Sequence, residues 1–209
     1  WKPARRIAVP KANGQKRPIS IPNWSDKLVQ EVIRLILQAY YEPQFRNSSH
    51  GFRPQRSCFT ALKHIKEKWT GTKWFIEGDI KGCFDNIPKK LVLELLGRCI
   101  EDKRFLKLIR EMLSAGYMED WRYHHTQSGI PQGGVVSPIL SNIVLHELDK
   151  WIEDELLPQY NYGKSRSVSL QYRRLVTARW RAKRQEQWSR YAQLGKVLRQ
   201  LPSKDTSDP

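Results

Sequence analysis

Phe75-Ile-Glu-Gly-Asp-Ile-Lys-Gly-Cys-Phe-Asp-Asn-Ile87 is the segment on which the reading of this chain turns. Trp74 to Ile80 reads as a strand with Asp79 near its end, and Lys81-Gly82 follows as a tight turn. A strand that ends in an acid and a turn leaves its carboxylate at an exposed tip. The chain holds 37 Lys+Arg against 21 Asp+Glu. In that company a strand-end acid caps the turn, pairs with a base or holds a metal. Capping is the simpler reading for a single Asp. The chemistry that would use it is phosphoryl transfer, in which hard carboxylate oxygens fix Mg²⁺.

To either side the apolar spacing is mainly helical. Leu28, Val29, Val32, Ile33, Ile36 and Tyr40 recur at helical intervals and stop before Pro43. A helix starting at Ser57 would bury Ala61, Leu62, Ile65 and Trp69. Further helices are expected around Lys89–Ile100 and Arg104–Ala115, the second closed by Gly116. Ser137-Pro138 offers an N-cap and a first-turn proline. Behind it runs an apolar stripe of Ile139, Leu140, Ile143, Val144, Leu148, Trp151 and Ile152. Strand signals are few and short. That balance predicts an α+β fold and argues against a doubly wound parallel sheet.

Hydrophobic residues at 39% and charged residues at 28% describe a folded chain with a core, not a disordered one. A net charge of +16 makes a polyanion the natural partner. No apolar run approaches the roughly 20 residues that span a bilayer. The chain opens on Trp1-Lys2-Pro3 without a Met or an apolar h-region, so no secretory leader is expected. Cys58, Cys83 and Cys99 are odd in number and lack CxxC spacing, so neither a disulfide framework nor a zinc site is expected. We expect a reduced, cytoplasmic or organellar protein that associates with nucleic acid and not with membrane.

The charge is uneven. Trp1 to Leu157 holds 25 basic and 18 acidic residues, whereas Pro158 to Pro209 holds 12 and 3. Arg173, Arg174, Arg179 and Arg181 crowd the second stretch beside Tyr172 and Trp180. A solvated helix or half-disordered tail would look like this. So would an RNA-binding insertion, where arginines meet phosphates and aromatic rings stack on bases.

Two loops add chemistry. Ser128-Gly-Ile-Pro-Gln-Gly-Gly-Val-Val-Ser-Pro-Ile-Leu140 sets adjacent glycines before a proline-started helix. The bare backbone lets another group approach closely, and Gln132 could hydrogen-bond a sugar or base edge. Pro10-Lys-Ala-Asn-Gly-Gln-Lys-Arg-Pro-Ile-Ser-Ile-Pro22 reads as a hairpin about Asn13-Gly14 with Lys11, Lys16 and Arg17 on its flanks. A basic hairpin could clamp a triphosphate; a merely soluble one would look much the same.

In this order the segments resemble the reverse transcriptase domain of group II intron-encoded proteins, the reverse transcriptase/maturase family. Arg17-Pro-Ile-Ser-Ile-Pro22, with Asp26-Lys27 and Gln30, resembles the first box of that family. Ser49-His-Gly-Phe-Arg-Pro-Gln-Arg-Ser57, with Ala61, resembles the second and is nearly diagnostic. Phe75 to Ile87 resembles the third, and Ser128 to Gly134 with Ser137-Pro138 the fourth.

The resemblance implies a right-hand polymerase, with helices around a small antiparallel sheet. Residues 1–73 would be fingers and 74–157 part of the palm; 158–209 would be a basic helical insertion. It implies an RNA-directed DNA polymerase that also binds intron RNA, using an RNA template, a DNA primer, dNTPs and two Mg²⁺ ions. Asp79 would be the first metal-binding carboxylate, helped by the Ile80 carbonyl. Phe84 would be the gate against a 2′-OH. Gln132 and Gly133 would line the nucleotide and primer end, and Lys11 and Arg17 would touch the triphosphate. Arg53 and Arg56 would contact the template backbone, although Arg56 could equally pair with an acid. Asp85 matches the motif with a structural role. Arg173, Arg174, Arg179 and Arg181 would bind RNA.

Two departures qualify this. Phe59 stands where the second box usually has His, a change we read as packing. The Tyr-Ala-Asp-Asp turn of the fifth box does not occur; after Asp154 the aspartates are Asp205 and Asp208, in an apparent loop. We therefore expect the chain by itself to be inactive. The alternatives are a non-catalytic RNA-binding maturase and, with less support, a generic basic scaffold. The stripe Ile139–Ile152 could pack internally or against a second copy.

Overall fold

Why the chain enters its first long helix and what that helix buries set the architecture. In the computed structural model Asn23 takes an extended backbone, and the helix runs Trp24–Tyr41 (α1) after two strands, Ala4–Pro10 (β1) and Lys16–Ile21 (β2). The structure describes residues 1–209 except 11, 13, 70, 71, 73, 127, 128, 131, 132, 161–166 and 206–209. Helices Cys58–Lys68 (α2), Cys83–Asn86 (α3), Lys89–Gly97 (α4) and Lys103–Ser114 (α5) come next. Strands Tyr117–Glu119 (β3) and Arg122–His124 (β4) lead to helix Ser137–Trp151 (α6). A π turn at Ile152–Leu156 precedes helices Leu157–Tyr160 (α7), Leu170–Arg184 (α8) and Trp188–Gln200 (α9).

The chain forms two compact units: Trp1–His64 with Glu77–Asp154, and Ile65–Ile76 with Glu155–Pro209. The first has one core. Ile33, Leu37 and Tyr41 of α1 meet Val92, Leu95 and Leu96 of α4, Ile109, Met112 and Leu113 of α5, and Ile139, Leu140 and Ile143 of α6. Each set recurs at three- and four-residue intervals, which is why four helices can share one interior. Asp102 caps α5 by accepting from the Arg104 and Phe105 amides at 2.8 and 3.3 Å. Those two bonds hold its carboxyl below the ordinary range.

The sheet has the order β2-β1-β3-β4. β1 and β2 pair antiparallel from Arg5↔Ile21 to Pro10↔Lys16, and β3 and β4 form a short antiparallel hairpin. The join between them is parallel, Ala4↔Tyr117 and Arg5↔Met118, so the expected antiparallel sheet is mixed. Parallel neighbours need a long crossover, here the helices α1 to α5.

Three local expectations are corrected. Trp74 to Ile80 is not a strand: its described residues make no ladder and are exposed. β-prone side chains do not make a strand without a partner for the backbone. α2 buries no residue fully, with Leu62, Ile65 and Trp69 exposed; Ser57 and Thr60 cap its start reciprocally. α6 is capped by Val136, one residue before the expected Ser137, which is instead buried in the first turn. The stripe considered for self-association is half consumed by the core, where Ile139, Leu140 and Ile143 sit. Leu148 and Trp151 of the stripe stay exposed, and α1 exposes Leu28, Val32, Leu35 and Ile36.

In the second unit α8 and α9 form a helical hairpin, turned by Glu186 in the left-handed region at φ 56°. Its base is clasped. Val168 bridges Lys204, the Ser169 amide donates to the Ser203 carbonyl at 3.2 Å, and the Asp205 amide donates to Ser167 at 2.9 Å. Entry and exit therefore lie side by side, the geometry by which a segment can be inserted into a loop of another fold. No helix of the described residues is long and apolar enough to cross a membrane.

Candidate functional site

The fourth-box loop is the hub of the first unit. The Gly129 amide donates to the Ile87 carbonyl at 3.0 Å and the Ile130 amide to Phe84 at 2.7 Å, fastening it to the third box. Ile130 is fully buried. Gly129 sits at φ +92°, and a Cβ there would lie 2.7 Å from the Asp85 carbonyl oxygen. Gly133 sits at φ +99°, with its would-be Cβ 2.5 Å from the Ser20 carbonyl oxygen of β2. Only glycine permits both the dihedral and the approach. Gly133 thus presses against the first box, where Ser20 is buried.

Side chains complete the joints. Buried Gln30, on α1, accepts the Val135 amide on its Oε1 at 2.9 Å. Asn142, on α6, donates to the Gly51 carbonyl of the second box at 2.8 Å. Lys89 donates to the Thr126 carbonyl ahead of the fourth box, and burial pushes its ammonium pKa down. All four boxes are therefore tied into one unit through α6 and the loop before it.

On this frame Asp79 and Ile80 stand exposed. The next turn starts at Gly82 in the left-handed region and leads into α3, whose Phe84 is half-buried against the core. Its ring is held from below while its carbonyl receives Ile130. Among the described residues no three His, Cys, Asp or Glu side chains converge on a metal-sized site. A Mg²⁺ ion needs near-octahedral oxygen coordination, and Asp79 brings a single carboxylate. The described residues do not by themselves make a complete two-ion site. Arg17 is exposed on β2. Lys11 and Gln132 lie outside the described residues.

The arginines divide. Arg53 is 8% exposed. Its Nε donates to Glu42 Oε1 at 3.0 Å, its Nη1 to the Arg46 and Ser49 carbonyls at 2.7 and 2.8 Å, and its Nη2 to the Glu42 carbonyl at 3.3 Å. A guanidinium so occupied ties the second-box loop to the end of α1 and is not offered to a template phosphate. That expectation is corrected. Arg56 donates to the Asn47 carbonyl and side chain at 2.8 and 3.0 Å from a half-buried position, pairing with an amide and not an acid. Beside it His50 lies 2.9 Å from Thr60 and 3.2 Å from His64. Burial, and then the charge of Arg56, hold its imidazole below the usual range.

In the second unit Arg173, Arg174 and Arg181 are exposed on α8. Arg179 turns inward, 4.2 Å above the Tyr191 ring, so its guanidinium is shared with α9. Gln30 and Asn142 make joints that cannot be read from the sequence; the one signal is Gln30's place in the first box.

Comparison with known proteins gives a consistent set of likenesses. The family description "Reverse transcriptase (RNA-dependent DNA polymerase)" matches residues 9–174. The chain is 50% identical over 174 residues to the group II intron-encoded protein LtrA of Lactococcus lactis subsp. cremoris, covering 83% of this chain and 29% of that protein. It is 52% identical over 160 residues to an uncharacterized 91 kDa protein in the cob intron of Schizosaccharomyces pombe, covering 77% and 20%. Nuclear intron maturase 2, mitochondrial, of Arabidopsis thaliana is 28% identical over 182 residues, with 68% and 25% covered. The chain spans less than a third of the length of these relatives.

Proposed function

The chain belongs to the reverse transcriptase (RNA-dependent DNA polymerase) family, and on that footing we propose that it forms the fingers and part of the palm of a group II intron reverse transcriptase with a maturase role. One observation carries the reading: the fourth-box loop is hydrogen-bonded to the third box and to Gln30 of the first, and Asn142 behind it holds the second. Segments that matter separately for soluble packing have no reason to share one backbone hub. A polymerase site does, because template, nucleotide and primer end must be held within a fraction of an ångström.

In this reading Asp79, with the Ile80 carbonyl, contributes one ligand set to the Mg²⁺ ions that the reaction uses, and carboxylates from elsewhere complete the site. Gly133 and Gln132 line the nucleotide, Lys11 and Arg17 meet the triphosphate, and Arg173, Arg174 and Arg181 bind RNA phosphates. The group II intron and intron maturase names of the relatives support intron RNA as the partner. A purely RNA-binding maturase is the second reading, favoured by the lone carboxylate at Asp79. Sequencing the reading frame beyond Pro209 separates them. An Asp-Asp turn within a few tens of residues supports the polymerase; a turn with its aspartates replaced sinks it.

Phe84 gives a sharper test. Its ring packs against the core and its backbone is held by the Ile130 amide, which together favour one placement of the ring. In primer extension by the full-length protein, Phe84→Ala is expected to raise rNTP over dNTP use by roughly 10- to 100-fold, the range set by pocket sterics. Unchanged discrimination would remove Phe84 from the gate.

A further inference from the structure

We propose that the cleft between α8 and α9 binds an unpaired RNA nucleotide, with its base stacked on the cleft aromatics and its phosphate on the cleft cations. The proposal rests on the RNA-binding reading of this hairpin and gives it a ligand. The cleft is an open groove of about 630 Å³ lined by Tyr172, Arg179, Trp180, Lys183, Tyr191 and Arg199, among others. That volume falls within the roughly 300–1,000 Å³ of small-molecule sites.

Three features point to the occupant. From Leu170 to Gln200 there are nine basic residues and one acidic, so the wall attracts an anion. Arg179 has a buried Nε without a hydrogen-bond partner. A buried donor left unmet is a cost, relieved when the guanidinium turns its Nε toward an incoming phosphate oxygen. Gly195 leaves room for that guanidinium: a Cβ there would stand 3.2 Å from Arg179 Cζ. Trp180 meanwhile is 58% exposed; Arg184 lies over one face of its ring, 5.1 Å from the centroid, and a base would stack on the other.

These features select unpaired over paired RNA. Bases in a duplex are already stacked and offer a concave cleft only their phosphates, whereas a bulged base offers its face to an aromatic ring. Arg173, Arg174 and Arg181, exposed on α8, suffice for phosphates alone. Every base has such a face, so the cleft recognises the unpaired state and not a sequence.

The test is fluorescence anisotropy of the full chain on two RNAs that differ by a single phosphate, a perfect duplex and the same duplex with one bulged nucleotide. The wild type is expected to prefer the bulge. Trp180→Ala should weaken bulge binding roughly 10-fold, the effect of losing one stacked base, and leave duplex binding within about twofold. Its salt slope should not change, because no charge is removed. Trp180→Phe should restore most of the affinity, and helicity by circular dichroism checks that the exposed side chain was not needed for folding. Equal losses on both RNAs, no loss, no wild-type preference for the bulge, or equal affinity for polyglutamate overturns the cleft. If the wild type binds neither RNA, the RNA-binding reading of the hairpin falls, and the cleft proposal falls with it.

Discussion

Asp79→Asn in the full-length protein is expected to lower primer extension on an RNA template by about 10³-fold, some 4 kcal/mol of transition-state stabilisation. The side chain is almost unchanged in size but loses the charge that attracts a divalent cation. Asp79 is exposed, so the substitution touches no core packing. Stability should stay within about 0.5 kcal/mol, and RNA affinity should not fall, since a negative charge has been taken from a +16 chain. Loss of extension with unchanged melting and undiminished RNA binding is the signature of a reacting-centre group. Equal loss of extension and RNA affinity would instead place Asp79 among the binding residues. Retained extension would remove Asp79 from the chemistry.

How much of this was legible beforehand depended on how local each signal was. α1 and α5 follow from spacing and stop signals within their own sequence, and so does the apolar stripe of α6. The parallel join of β1 to β3 does not, because Ala4 and Tyr117 meet only after five helices have packed. Trp74–Ile80 has strand residues but no neighbour among the described ones, and a strand is a property of a pair. The site shows the same division. The glycines of the fourth box announce a close approach but not what approaches; that it is Asp85 at Gly129 and Ser20 at Gly133 is a tertiary fact. The α8–α9 cleft shows only as Tyr172, Val176 and Trp180 at four-residue spacing, since its other wall lies on a second helix.

Arg53, which the resemblance assigned to the template backbone, is where geometry gives the second large effect. A charged residue in a basic chain reads as surface, yet the Arg53 side chain is 4% exposed and its ion-pair partner Glu42 27%. The guanidinium lies 2.9 Å from the Glu42 carboxylate and 5.3 Å from the Phe45 ring, and it serves carbonyls from Glu42, Arg46 and Ser49. Arg53→Ala strands those acceptors together with a carboxylate whose Oε2 already lacks a partner. Breaking a buried pair from one side costs about 3–5 kcal/mol; the partial exposure of Glu42 puts this one near the lower end. A loss of about 3 kcal/mol corresponds to roughly 6–12 °C in Tm for a chain of this size. Arg53→Lys should fall between, because an ammonium cannot span the fork of acceptors that a planar guanidinium meets. Thermal melting and RNA affinity measured on both variants decide the role. A large Tm loss, with RNA affinity kept by the fraction still folded, fits an arginine that shapes the second-box loop. A small Tm change with RNA binding weakened and its salt slope reduced by about one would return Arg53 to the template backbone.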